Sequence, residues 1–383
     1  MGSGVLVVVT SSYPNAADGT EAAGSFVADL VLQLSTRVRV RVVAPGTRDE
    51  LQRISANLDV YRFSAPGRPL STLRPHIPAD AIQIFNVLRA GSKATHSAVA
   101  AGEVAHIFAL WALPCGFWAR SAARRFTVPY SVWTLGSDIW SLGRIPLVRQ
   151  VLARVLRDAV RCYSDGYLLR DDTQRIARRN VDFLPSTRVV SLANEKQLST
   201  SPPYRLVYIG RWHDNKGTDI LVQALSLLDD ETWQRISSVE IHGGGPLRPS
   251  LEFALEQLGS RSRQITLGDF VDKAVAESIL LHADFVMIPS RVESIPVIFS
   301  DAMKRLCPVI ATPVGDLPAL VSEGPVGVVA TAVTANAYAS AITAAVRTTP
   351  AKYEEALRDM AAKFSIEDFV MPKLITELGL GAT

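Results

Sequence analysis

Short, almost wholly apolar runs rich in valine and isoleucine recur along this chain, separated by stretches with helical spacing. Val5–Val9, Val38–Val43, Val104–Phe108 and Tyr130–Thr134 read as buried strands, with helices expected at 25–33, 111–125 and 146–158 between and after them. The pattern starts afresh after residue 190. Strands are predicted at Leu206–Ile209, Val239–Ile241, Ile265–Leu267, Phe285–Ile288, Val309–Ala311 and Gly327–Ala330, and helices at 219–228, 247–258, 275–281 and 297–305. A strand apolar on both faces needs cover on both faces, which parallel sheets flanked by helices provide. Two such series predict an α/β protein of two doubly wound, Rossmann-like domains. In open α/β sheets ligands bind beyond the carboxyl ends of the strands, so two facing domains would enclose a cleft there.

The 383 residues suit two domains of roughly 150–200 residues each. The boundary is expected in 192–204, where Ser-Thr-Ser-Pro-Pro at 199–203 is linker-like. The domains are thus predicted at 1–192 and 205–346. Cys115, Cys162 and Cys307 are isolated thiols without a Cys-x-x-Cys pair, which fits a reducing compartment and neither a disulfide framework nor a zinc site. No apolar run nears the ~20 residues that cross a bilayer, and the start of the chain lacks the basic region of a secretory signal. A cytoplasmic protein is expected. Residues 1–190 hold 23 Lys and Arg against 14 Asp and Glu, and the remainder holds 17 against 23. The basic first half is compatible with peripheral contact at an inner membrane face or a phosphate-bearing acceptor, beside the plainer reading of a solvated arginine-rich surface. Basic residues are not interleaved with aromatic ones as in RNA-binding modules, so no nucleic-acid partner is expected.

Four segments of the second half could share one task. In Tyr208-Ile-Gly-Arg-Trp-His-Asp-Asn-Lys-Gly217 a strand ends near Gly210, and Arg211 and Lys216 follow as candidate clamps for a diphosphate. His242-Gly-Gly-Gly-Pro246 is a glycine run at a strand-to-helix turn, where Gly244, Gly245 and Pro246 would let backbone approach an anion. Leu267-Gly-Asp-Phe-Val-Asp272 is a third such turn, whose Phe270 and Val271 backbone could read a base. Pro289-Ser-Arg-Val-Glu293 precedes Ser294, Ile295, Pro296 and Val297 at a helix start, with Asp301 inside that helix. The two carboxylates, Glu293 and Asp301, could hold separate sets of hydroxyls, and the helix N-terminus a phosphate. Singly, each feature also reads as a solvated loop or helix residue.

Taken in order, these motifs resemble the retaining glycosyltransferases of family 4, which have the GT-B fold. The matching residues are Gly210-Arg211…Lys216-Gly217, Gly243-Gly-Gly-Pro246, Pro289-Ser-Arg-Val-Glu293…Asp301 and the tail Pro308–Pro318. The first half is similar more loosely, through Ser11-Ser-Tyr-Pro14 with Gly24-Ser25, Trp111–Gly116 and Thr134–Asp138. The resemblance implies an enzyme moving a hexose-type sugar from a nucleotide-diphosphate donor to a hydroxyl of a glycan or lipid-linked acceptor, in polysaccharide or glycoconjugate synthesis. Arg211 and Lys216 would bind the diphosphate, Glu293 the sugar and Asp301 the ribose, while Gly24, Ser25, His106 and Asp138 would lie on the acceptor side. The tail Phe364–Leu378, within a C-terminal segment 350–383, resembles the helix that crosses back to the first domain. No cofactor and no metal is expected: no Asp-x-Asp occurs to hold a nucleotide-bound cation.

The chain departs from the family pattern at three kinds of position. Asp301 stands where glutamate is usual and Pro296 where glycine is frequent, and Phe108, Leu110 and Leu135 occupy places where relatives carry histidine. His106 itself, at the end of an apolar run, also reads as a core residue, and Asp138 as a turn former. A sugar-nucleotide-binding protein without catalysis and a nucleotide-sugar 2-epimerase of the same fold stay open as alternatives.

Overall fold

A computed structural model describes residues 4–15, 24–65, 73–74, 76–190, 196–259 and 263–381. The chain forms two compact units, Met1–Val189 with Ile366–Thr383, and Val190–Ser365. Residues 192–195 of the expected linker lie outside the described residues.

The first unit is built on eight strands: β1 (Val5–Val9), β2 (Val40–Gly46), β3 (Glu50–Ser55), β4 (Leu58–Ser64), β5 (Val104–Leu110), β6 (Tyr130–Thr134), β7 (Cys162–Ser164) and β8 (Asp182–Phe183). Their order across the sheet is β3-β4-β2-β1-β5-β6-β7-β8, and all pairings are parallel except β3 with β4. The pleat explains why β1 is apolar throughout. Val7 and Val9 enter one core with Ile107, Val132 and Trp118, while Leu6 and Val8 enter another with Phe108 and Trp133. Strand β3 escapes the sequence reading because nearly all of it is exposed. It carries no hydrophobic period and pairs at an edge. The helix Pro78–Ala100, also not foreseen, buries only Asp80 and a narrow line of Val87, Gly91, Thr95, Ala98 and Val99.

Among the described residues the second unit has six strands, β9 (Tyr204–Arg211), β10 (Ile236–Gly244), β11 (Ile265–Gly268), β12 (Phe285–Ile288), β13 (Val309–Ala311) and β14 (Gly327–Val329), all parallel. Their order is β11-β10-β9-β12-β13-β14. Strand β9 is therefore central, and the chain changes its direction of travel across the sheet between β9 and β12. Loops leaving the carboxyl ends of these two strands diverge, and that divergence is where doubly wound sheets bind ligands.

The segment expected to cross back, 350–383, divides in two. Helix Glu354–Lys363 stays with the second unit, and Phe364 after it packs edge-on against Phe299 with ring centroids 5.6 Å apart. The passage to the first unit begins at Ile366. From there Ile366, Val370, Met371, Leu374, Leu378 and Leu380 complete the core that holds Leu6 and Val8, and Tyr163 donates a hydrogen bond to Glu377 Oε2 (2.7 Å).

Candidate nucleotide-sugar site

Strand β9 delivers Gly210 and Arg211 to its carboxyl end. Beyond it, His213 Nδ1 accepts from the Asn215 amide (3.3 Å) and caps a short turn, Asp214–Lys216. Gly217 then opens helix Thr218–Ser226 at φ 63°, in the left-handed region that favours glycine. A Cβ built there would stand 1.9 Å from the Pro289 carbonyl oxygen, at the end of β12. The missing side chain is what lets the two switch-point loops touch.

Their charged residues meet as well. Lys216 Nζ is hydrogen-bonded to Glu293 Oε1 as an ion pair, and the Ser290 hydroxyl donates to the same oxygen (3.0 Å). The Arg291 amide donates to the Asn215 carbonyl (2.8 Å). Beneath them Tyr208 donates to the Arg211 carbonyl (3.0 Å). Burial pushes its phenol well above the usual tyrosine range, with the Glu293 charge adding to the shift and Thr218 and Arg211 opposing it. The Arg211 side chain is exposed and has no ion-pair partner among the described residues. One cation is thus paired and one is open, within a single loop.

The glycine run lies one strand away. Gly243 and Gly244 pair in register with Gly210 and Arg211, and the Trp212 amide donates to the Gly244 carbonyl (2.8 Å). Pro246 follows Gly245 in the turn before helix Arg248–Gly259. Arg248 stacks over buried Trp212 (4.7 Å to the ring centroid) and pairs with Asp269, which ties this turn to the loop after β11. In that loop Phe270 is 69% exposed, against Gly244, beside half-buried Val271. A large apolar ring held in solvent at a strand end suits stacking on a flat ligand. On the β12 side Ser294 accepts from the Asp316 amide (3.2 Å), Ile295 is buried and Val297 opens helix Val297–Lys304 after Pro296. Asp301 lies within that helix and is 2% exposed, so it is not a solvated helix residue.

In the first unit Gly24, at φ 76°, opens helix Ser25–Ser35 against the loop after β1: a Cβ there would meet the Ser12 carbonyl at 2.5 Å. Two further residues expected on the acceptor side are buried. His106 is not at a strand end. It sits inside β5, 2% exposed, and shares a 2.9 Å hydrogen bond between Nε2 and Ser131 Oγ. Burial lowers its pKa to about 4, which leaves a neutral core imidazole. Asp138 is fully buried and spends both oxygens on backbone, accepting from Ala112 (2.7 Å), Leu135 (3.3 Å) and Ile139 (3.1 Å). Burial raises its carboxyl to about 6, against the pull of these amides. It fastens the loop after β6 to the loop after β5 and has no oxygen to spare. Asp138→Asn turns one acceptor oxygen into a donor and strands at least one amide. The expected loss is about 1–3 kcal/mol, read from denaturant unfolding.

Sequence reasoning overlooked Arg291 and Asp219, which join as a two-bond ion pair between the same loops. Ser290 was visible only as part of a quoted motif.

A two-unit, doubly wound protein with paired and open cations at its second switch point belongs to the GT-B class of folds. Residues 203–348 match the family described as Glycosyl transferases group 1. It is 28% identical over 124 residues to an alpha-D-kanosaminyltransferase of Streptomyces kanamyceticus, covering 32% of this chain and 31% of the relative. To a D-inositol 3-phosphate glycosyltransferase of Jonesia denitrificans it is 34% identical over 125 residues, 31% of this chain and 29% of the other. The chain thus spans about a third of the length of these curated relatives. Among solved structures, HepE of Anabaena in complex with UDP and glucose superposes with a TM-score of 0.69 over 98% of this chain and 99% of that one, at 16% identity.

Proposed function

We propose that this chain is a retaining glycosyltransferase that moves a hexose-type sugar from a nucleoside-diphosphate donor to a hydroxyl of a glycan or lipid-linked acceptor. The observation that carries this reading is the Lys216–Glu293 contact at the switch point of the second sheet, with Arg211 open beside it. A diphosphate entering there meets a free guanidinium and an ammonium that can exchange a carboxylate for phosphate. Glu293, steadied by Ser290, then faces sugar hydroxyls, and Asp301 serves the ribose. Phe270 and Val271 border the base, and the amides of Gly244, Gly245, Ser294, Ile295 and Val297 line the remainder. As the glycosidic bond breaks, negative charge grows on the diphosphate, which Arg211 and Lys216 stabilise. The diphosphate oxygen takes the acceptor proton while the new bond forms on the same face. On the acceptor side Gly24 and Ser25 remain the candidates. The test is consumption of UDP-hexoses with an extract of cell glycans and lipids, following UDP release and the anomeric configuration of the product. Tight UDP binding without turnover on any acceptor would favour a binding protein instead.

A lipid-linked acceptor draws support from the first unit. No helix among the described residues is long and apolar enough to cross a membrane. Helix Pro78–Ala100, however, exposes Ile82, Phe85 and Leu88 to solvent, followed by exposed Arg89 and Lys93. Apolar tips beside cations suit an anionic bilayer surface, where each Lys or Arg is worth about 1 kcal/mol. The protein should co-sediment with vesicles containing phosphatidylglycerol and release at high salt, and an Ile82→Ser/Phe85→Ser double variant should stay in the supernatant. Equal sedimentation of both forms would remove this helix face from membrane contact.

A further inference from the structure

Arg291 touches none of the groups assigned to the donor, yet it is the most heavily bonded side chain between the two switch-point loops. Its Nη1 donates to the Asp214 carbonyl (2.8 Å) and to Asp219 Oδ1 (2.7 Å), and its Nη2 to Asp219 Oδ2 (2.6 Å). Its own amide reaches the Asn215 carbonyl (2.8 Å). Arg291 therefore grips the turn carrying Lys216 on both sides of that lysine, at 214–215 and at 219. Glu293 follows Arg291 by two residues on the other loop. The planar fork of arginine meets the carboxylate with two parallel bonds, a geometry lysine cannot reproduce. These bonds hold the Asp219 carboxyl below its ordinary range.

A second tie is required by the chemistry of the first. While the site is empty, Lys216–Glu293 is itself a cross-link between the loops. A diphosphate that recruits Lys216 dissolves that link at the moment when the positions of Lys216 and Glu293 must be fixed. We propose that Arg291, through Asp219 and the Asp214 carbonyl, is a positioning residue that keeps the Lys216 turn in register with Glu293 once the donor has displaced the Lys216–Glu293 pair. The proposal rests on the reading of this site as the donor site.

The test is a double-mutant cycle on the full chain, with UDP binding by calorimetry and UDP-hexose consumption as readouts. Arg291→Ala should lower kcat by about 10²-fold, the scale of a 1 Å misplacement, and raise the donor KM far less. The melting temperature should barely move, because partly exposed ion pairs add little to folding. Asp219→Asn should reproduce the defect in weaker form, and Arg291→Lys should not restore the wild-type rate. In a Lys216→Ala background Arg291→Ala should add no further loss, since it acts through the missing lysine. An equal loss in both backgrounds, or unchanged kcat in a folded Arg291→Ala protein, overturns the proposal. If Arg291→Ala does not fold, Arg291→Lys carries the cycle, and wild-type turnover by that variant overturns it. If wild type neither binds UDP nor consumes UDP-hexose, and Lys216→Ala behaves as wild type, the donor-site reading has failed and takes the positioning role with it. A clamp failure differs, because Lys216→Ala is then still impaired.

Discussion

Lys216→Ala is expected to lower turnover of the nucleotide sugar by about 10²–10³-fold, the loss that follows removal of one well-placed donor to a developing negative charge. Three observations set this size. The ammonium stands at the divergence of β9 and β12, its partner Glu293 is largely withdrawn from water, and the turn bearing it is fixed to the opposite loop through Arg291 and Gly217. A charge held in place needs no reorganisation as the bond breaks, whereas water recruited to an alanine does. Ground-state affinity should suffer less, because Arg211 remains to bind phosphate. Steady-state UDP release, with the melting temperature as control for folding, reads the effect. A folded Lys216→Ala protein with near-wild-type kcat would remove Lys216 from the chemistry.

Gly217→Ala should disable the site by a different route. The methyl group meets two obstacles, a left-handed backbone that costs a non-glycine residue about 1–3 kcal/mol and the Pro289 carbonyl oxygen 1.9 Å away. Neither yields by side-chain rotation, since both are main chain. The β9 and β12 loops must part, and with them Lys216 from Glu293 and Asn215 from Arg291. The expected result is a lower melting temperature, loss of UDP binding by calorimetry and a fall in activity of at least about 10²-fold. Unchanged UDP affinity in Gly217→Ala would show that contact between the loops is dispensable.

The second unit was nearly transparent in the sequence because β12 and β13 are buried on both faces and the middle of β9 nearly so. β12 and β13 fall at the expected residues, and β9 and β10 extend the expected runs at both ends. Exposure and sparse contact hid parts of the first unit. β3 and β4 form an antiparallel edge without a continuous apolar run, and the line of contact on helix Pro78–Ala100 mixes Val87, Ala98 and Val99 with Asp80, Gly91 and Thr95, which weakens its hydrophobic signal. At the site, Lys216 and Glu293 could be read from local motifs. The clamp between Arg291 and Asp219 could not, because each alone looks like a solvated charge and only the sheet order brings them together. His106 and Asp138 mark the converse limit. The resemblance implied an acceptor-side place for both, beside the plainer readings of core residue and turn former; in the structure one is a satisfied imidazole inside β5 and the other has both oxygens bound to backbone amides. Polarity announced both residues; only depth separated them from a working site.

The return of residues 366–380 to the first unit bears on how the protein is made. Leu6 and Val8 leave the ribosome before the second unit, yet Ile366, Val370 and Leu374, which share their core, emerge only after the whole second unit has been translated. Domains usually fold in the order of synthesis. Here the nascent first unit carries an unfinished apolar face until residues 366–380 emerge, so a chain cut short before Ile366 would be prone to capture by chaperones or to clumping.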